Sequence, residues 1–215
     1  MAKFQRKTKN ERRHEIMTAA KKVFLKKGYR YTTMEDIIAL TTLSKGGVYQ
    51  YYKSTKAIMF DIMSEGNYFR YSRTEDIIEK FAKTNDIYEI MTQALLAKLY
   101  EKIPEKKLYI MFLAEIMYDK ETEKLYYKLE KEAHKLLAQN FISLLEKQNF
   151  PKSKLSEKAK QNLSKELLPK LYSRIFSGIL IIYELLNDKK VFEEKHFELH
   201  DIIYRMLKNA ITGNH

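Results

Sequence analysis

Apolar residues recur at steps of three and four along almost the whole of this 215-residue chain, and nowhere do they alternate with polar residues as a half-buried strand requires. That period selects an all-α fold, and only six glycines and three prolines interrupt it. About nine helices are expected. The first ends at Gly28, after an apolar face of Ile16, Ala19, Ala20, Val23 and Phe24. Thr33, with Asp36 three residues on, makes a capping box for a short second helix whose buried side is Ile37, Ile38 and Leu40. Residues 41–43 form a tight turn, and a third helix runs from about Ser44 to Tyr52. Ser54 caps a fourth that continues to about Phe81. Further helices are expected at about 86–102, 104–118 and 120–148, with Pro104 at a helix start. A loop covers 149–153, a segment at 155–167 has helical character, and a helix begins near Pro169 and reaches Leu186. The last covers about 196–211 and stops at Gly213.

With 45% hydrophobic residues the chain can bury a core. It has no cysteine, which excludes disulfides, thiolate zinc sites and cysteine nucleophiles. The first fifteen residues are polar and basic, unlike a secretory signal. The longest apolar run, 175–183, is too short to span a bilayer, so a cytoplasmic protein with no membrane partner is expected. Charge is distributed unevenly. Residues 1–56 hold 14 Lys and Arg against 4 Asp and Glu, a net of +10, whereas the remainder holds 26 against 24. A polyanion-binding module attached to a near-neutral body fits this asymmetry.

Two short helices joined by a tight turn on a basic segment describe a DNA-binding helix-turn-helix. The stretch LTTLSKGGVYQYYKSTK, residues 40–56, then acquires a role. Adjacent glycines inside a helix cost about 1 kcal/mol each relative to alanine. Gly46 and Gly47 stand where backbone would approach DNA closely; the plainer alternative is a solvent-facing helix start that tolerates glycine.

Residues 10–60 resemble the DNA-binding domain of the TetR family of transcriptional regulators. The resemblance is carried by IMTAAKKVFLKKGYRYTTMEDI, LSKGGVYQYY and KSTKAIM. It implies a DNA-binding domain over 1–56, with a flexible basic arm at 1–9, and a helical ligand-binding and dimerisation domain over 57–215. By that resemblance Thr33 and Tyr51 face phosphates, Ser44 caps the recognition helix, Lys45 reaches backbone or base, and Tyr49 meets sugar-phosphate or a thymine methyl. Gln50 is the candidate for reading a base edge, because glutamine can pair bidentately with adenine. Tyr52, Met34, Ile37, Leu43 and Val48 are expected to be core. The sequence departs from the family pattern at Thr42, where a turn glycine is common, at Gly47, often Thr, and at Thr55, usually Lys. Lys53 and Lys56 could supply the missing charge, and Arg6, Lys7, Lys9, Arg12 and Arg13 could add phosphate contacts.

A single helix-turn-helix binds DNA weakly, and two-fold dimers on palindromic sites are the usual remedy. The last two helices are the candidate dimer elements, through Ile175, Ile179, Ile182, Tyr183, Ile203, Met206 and Leu207. Met91, Tyr109, Met111, Phe112, Glu115 and Tyr118 are candidate pocket residues for a small, largely apolar inducer, which the resemblance implies. Glu115, set among apolar neighbours, would either pair with a lysine, sit at a wet edge, or favour a cationic ligand. His196 and His200 have metal-compatible spacing, but no third ligand stands nearby and exposed histidines are expected. No metal, cofactor or enzymatic activity is expected. The expected function is a ligand-responsive regulator, a repressor on a palindromic operator; the rival reading is a helical adaptor that binds a protein or anionic surface through its basic end.

Overall fold

The computed structural model describes residues 7–66, 80, 84, 86–147, 167–186 and 189–212. The fourth helix beyond residue 66, the loop at 149–153, the segment at 155–166 and the stop at Gly213 lie outside the described residues. All regular structure in the described residues is helical: α1 (Lys9–Lys27), α2 (Met34–Ile38), α3 (Lys45–Tyr51), α4 (55–66), α5 (Ile87–Tyr100), α6 (Glu105–Ile116), α7 (Lys120–Lys147), α8 (Leu167–Leu185), α9 (Lys189–Glu194) and α10 (His196–Thr212).

The chain divides into two compact units: Met1–Asn67 with Pro104–Tyr127, and Tyr68–Ile103 with Lys128–His215. The first therefore extends past the boundary expected at residue 56 and takes in α4 and α6. The cause lies in α6. Phe112 is buried and meets Phe60 edge-on, ring centroids 6.4 Å apart. Arg30 Nε donates to Glu115 Oε1 at 2.7 Å, and Lys21 Nζ lies 3.3 Å from Glu105.

Local chemistry accounts for the helix ends of this unit. Thr8 and Glu11 form a capping box that starts α1, and Gly28, at φ +88°, ends it. That conformation is disfavoured for residues with a Cβ. Ile16, Met17, Ala19, Ala20, Val23 and Phe24 form the buried face of α1. The Thr33–Asp36 box starts α2 as expected. The helix stops at Ile38, so Leu40 falls off its inner face and is exposed. Ser54 accepts the Ala57 N–H at 3.2 Å and starts α4, which buries Ile58, Met59, Ile62 and Met63.

In the second unit α5 packs on α10 around Leu96, Ile203 and Leu207, with Met91, Leu95, Tyr100 and Leu199 at the margin. Asp86 caps α5 by accepting the N–H groups of Tyr88 and Glu89, and its other oxygen accepts the Tyr204 hydroxyl at 2.7 Å. One side chain thus fixes the start of α5 and its lateral position on α10. His200 Nε2 stands 2.9 Å from a Glu89 oxygen, and His196 Nδ1 lies 3.2 Å from the Tyr100 hydroxyl. The two histidines are half-buried and partnered, where exposed ones were expected. No group of metal-compatible side chains occurs among the described residues.

Candidate nucleic-acid interface

Helix α3 is seven residues long, too short to persist without tertiary support. Ser44 starts it by accepting the Gly47 N–H at 3.2 Å. Val48 and Tyr52 hold it from beneath, both buried, with Ile37 and Met34 of α2 buried in the same unit. Tyr52 is core, as expected, and its hydroxyl donates to Asp61 Oδ2 at 2.7 Å. Arg13 pairs with the same carboxylate and lies 4.9 Å over the Tyr52 ring. Burial, then the bond to Asp61, raise the pKa of Tyr52 and keep it a phenol. Arg13 is thus a structural residue of α1 and no part of a mobile arm. Arg6 lies outside the described residues.

The other side of α3 faces outward. Gln50 is exposed, Tyr49 and Tyr51 are half-buried, and Lys45 and Gly46 are exposed. A Cβ built on Gly46 would meet nothing within 4 Å, whereas one on Gly47 would lie 3.4 Å from Leu43 and from Ser44 Oγ. Nothing inside the protein requires glycine at 46, although alanine would favour the helix by about 1 kcal/mol.

Several expected contact residues have partners within the chain. The Thr33 hydroxyl donates to Asp36 at 2.7 Å while accepting the Asp36 N–H. Lys27 reaches the same carboxylate at 2.6 Å, and these bonds, Lys27 first, lower the Asp36 pKa to about 2. Lys45 Nζ donates to Glu35 at 2.9 Å on an exposed surface. Lys53 Nζ donates to the Tyr49 carbonyl at 2.7 Å, close to the C-terminus of α3. Lys56 reaches Asp119 at 2.9 Å and Glu121 at 2.8 Å, so its ammonium is held at the start of α7. The Thr122 hydroxyl and Lys56, in that order, lower the Asp119 pKa to about 2. Sequence reasoning missed the carboxylates that do this work. Glu15, Asp61 and Glu121 lie 27, 48 and 65 residues from the groups they bind, beyond any local pattern.

The candidate pocket residues divide between the two units. Met91 belongs to the second unit and packs on its core. Tyr109, Met111, Phe112, Glu115 and Tyr118 belong to the first. Phe112 is buried there and Tyr118 is exposed. Glu115, its side chain 16% exposed, is paired with an arginine, Arg30, whose guanidinium also lies 4.0 Å over the Tyr118 ring. The expected lysine is an arginine, chosen by a side chain 85 residues away.

The dimer candidates separate into two groups. Tyr183, Ile203 and Leu207 are buried within the second unit, the last two in its α5–α10 core. Ile175, Ile179 and Met206 are half-buried, and Ile182 is exposed. Exposed apolar side chains continue at Leu185 and Leu186, and at Phe197 (83% exposed) and Ile202 (62%) on α10. Among the described residues no helix is long and apolar enough to cross a membrane.

A capped short helix, a turn, and a second helix with one buried apolar side and one outward polar side, all on a basic segment of an all-helical chain, make a helix-turn-helix of the kind that enters a DNA groove. Comparison with known proteins shows what this segment is similar to. Residues 16–62 match the family model described as bacterial regulatory proteins, tetR family. Over 64 residues the chain is 41% identical to YfiR, an uncharacterized HTH-type transcriptional regulator of Bacillus subtilis (strain 168), a match covering 30% of this chain and 31% of that one. The chain spans about a third of the length of the curated relatives it matches. The fold is shared far more widely. Salmonella enterica GusR superposes with a TM-score of 0.71 at 17% identity, over 95% of this chain and 97% of that one. The fatty acid degradation regulator FadR of Bacillus halodurans gives 0.66 at 12% identity, over 92% and 97%. The similarity to the TetR family of transcriptional regulators is thus carried in sequence by residues 16–62, and over the rest of the chain by the fold. Members of that family are DNA-binding transcription factors and not enzymes.

Proposed function

We propose that the chain binds a palindromic double-stranded operator as a homodimer, represses transcription there, and is released by a small, largely apolar inducer. The observation that supports this best is the two-sidedness of α3, where Val48 and Tyr52 are buried while Gln50 stands exposed beside an open Gly46. Gln50 is assigned to a base edge, Tyr49 and Tyr51 to sugar-phosphate, and Ser44, Lys45 and Gly47 to the end of α3 nearest the duplex. Thr33 and Lys53 are assigned to phosphates. Lys56 is assigned to the protein's own acidic pair. The dimer surface is assigned to Ile182, Leu185 and Leu186 with Phe197 and Ile202, and to the half-buried Ile175, Ile179 and Met206. Because Arg30 already engages Glu115, a neutral or acidic apolar inducer fits better than a cationic one.

Selection of bound duplexes from a random pool tests this reading. The expected result is enrichment of a palindromic pair of half-sites; binding with no sequence preference would indicate an adaptor for anionic surfaces. Sedimentation of the Phe197→Glu and Ile202→Glu variants is expected to show monomers where the natural chain is dimeric. Melting shifts with neutral, acidic and cationic apolar compounds would identify the inducer class.

A further inference from the structure

The turn between α2 and α3 is clamped from α1. Thr42 places both its backbone N–H, at 2.7 Å, and its hydroxyl, at 2.6 Å, on Glu15 Oε1. The second oxygen, Oε2, accepts from Arg12 Nη1 at 3.0 Å and from Lys7 Nζ at 2.9 Å. Arg12 Nη1 also lies 3.0 Å from Thr42 Oγ1, which closes a ring of three side chains. The Glu15 side chain is 14% exposed. The Thr42 hydroxyl is the largest cause of a pKa lowered to about 2, so the carboxylate is ionised in any ordinary buffer. Bonds to an ionised acceptor are shorter and stronger than neutral ones.

A β-branched residue occupies the turn, and a carboxylate from another helix satisfies its N–H and hydroxyl together. The turn sets the angle at which α3 leaves α2, and that angle decides where Gln50 and Tyr49 point.

We infer that Glu15 is a positioning residue for DNA recognition: through Thr42 it fixes the α2–α3 turn, so that discrimination between sequences, more than general affinity for DNA, depends on it. The inference rests on the reading of α3 as the recognition helix.

The test uses the full chain and the Glu15→Gln, Thr42→Val, Thr42→Ser and Glu15→Gln/Thr42→Val variants. Each is titrated with the duplex selected by the natural chain and with a scrambled duplex of equal length, over a range of salt, with melting temperatures recorded. Glu15→Gln and Thr42→Val are expected to bind the selected duplex about tenfold more weakly. Neither variant should weaken binding to the scrambled duplex, and Thr42→Val, which changes no charge, should leave the salt slope at the natural value. The losses in the double variant should be less than additive, because the two groups act through one shared contact. Thr42→Ser, which keeps both donors, should behave as the natural chain. Natural discrimination in Glu15→Gln, or an equal loss on both duplexes, would overturn the inference. Should Glu15→Gln fail to fold, Thr42→Val decides by the same criterion. If the natural chain itself prefers no duplex, the DNA reading of α3 fails before any variant is compared.

Discussion

Each of the two units is held together internally by different physics. In the first, charged side chains tie distant segments: Glu15 to Thr42, Arg13 to Asp61, Arg30 to Glu115, Lys56 to Asp119 and Glu121. In the second, α5 and α10 meet through Leu96, Ile203 and Leu207, with tyrosines and histidines hydrogen-bonded along the margin. The contrast qualifies the strong positive charge of the N-terminal segment. Much of that charge is engaged inside the unit, where it orients helices, so fewer cations are left for a polyanion than the net charge suggests. The second unit leaves apolar side chains exposed on α8 and α10.

This contrast can be broken at either end. The largest effect should come from the apolar core. Leu207→Ala, at a fully buried position, is expected to destabilise the second unit by about 2–5 kcal/mol, read by denaturant unfolding. A smaller cost would mean that the α5–α10 core is less tightly packed than its burial indicates. In the first unit, Arg30→Ala leaves the largely buried Glu115 without its arginine and should lower the unfolding midpoint by less than Leu207→Ala does. Adding Glu115→Met should restore most of that loss, and no recovery would place the role of Arg30 elsewhere, such as its packing on Tyr118. Gln50→Ala should leave stability alone and weaken preference at one base pair by about 1–3 kcal/mol. An unchanged preference would remove Gln50 from direct readout.

Gly46→Ala should have opposite effects on folding and binding. With nothing within 4 Å of the new methyl, it is expected to stabilise the unit by about 0.5–1 kcal/mol while weakening operator binding. A variant that is stabilised and binds normally would show that the glycine serves no close approach. The smallest effect concerns pH. Glu15 is lowered from 4.5 to about 2 in the folded chain, so between those values the unfolded chain takes up a proton that the folded chain does not. Stability is fully present above the upper value and is lost as pH falls toward the lower. Glu15→Gln should flatten that part of the unfolding profile.

Much of the first unit could be read from sequence because its signals are local. The Thr33–Asp36 box, the stop at Gly28, the cap at Ser44 and Pro104 at the head of α6 all lie within a few residues of what they control. Where local patterns gave out, tertiary partners decided. Leu40 matched the apolar period of α2, but the helix had ended two residues earlier. Between the helices expected to end at Leu186 and to begin near 196, Lys189–Glu194 adds a short helix, with Lys190 3.4 Å from Glu194. Lys56 looked like a DNA contact by position, and two carboxylates from the start of α7 claim it. On α10, Ile202 and Ile203 are adjacent in sequence, yet one is exposed and the other buried. The apolar stripe identified the helix, and only the packed structure separates its inner from its outer side.

The most direct measurement is a selection of bound duplexes from a random DNA pool, run with the natural chain and with Gln50→Ala. A recognition helix presenting Gln50 predicts a palindromic pair of half-sites for the natural chain and relaxed preference at one position in each half-site for the variant. Identical enriched sequences from both proteins would contradict the role of Gln50, and no enrichment from the natural chain would contradict DNA recognition by α3.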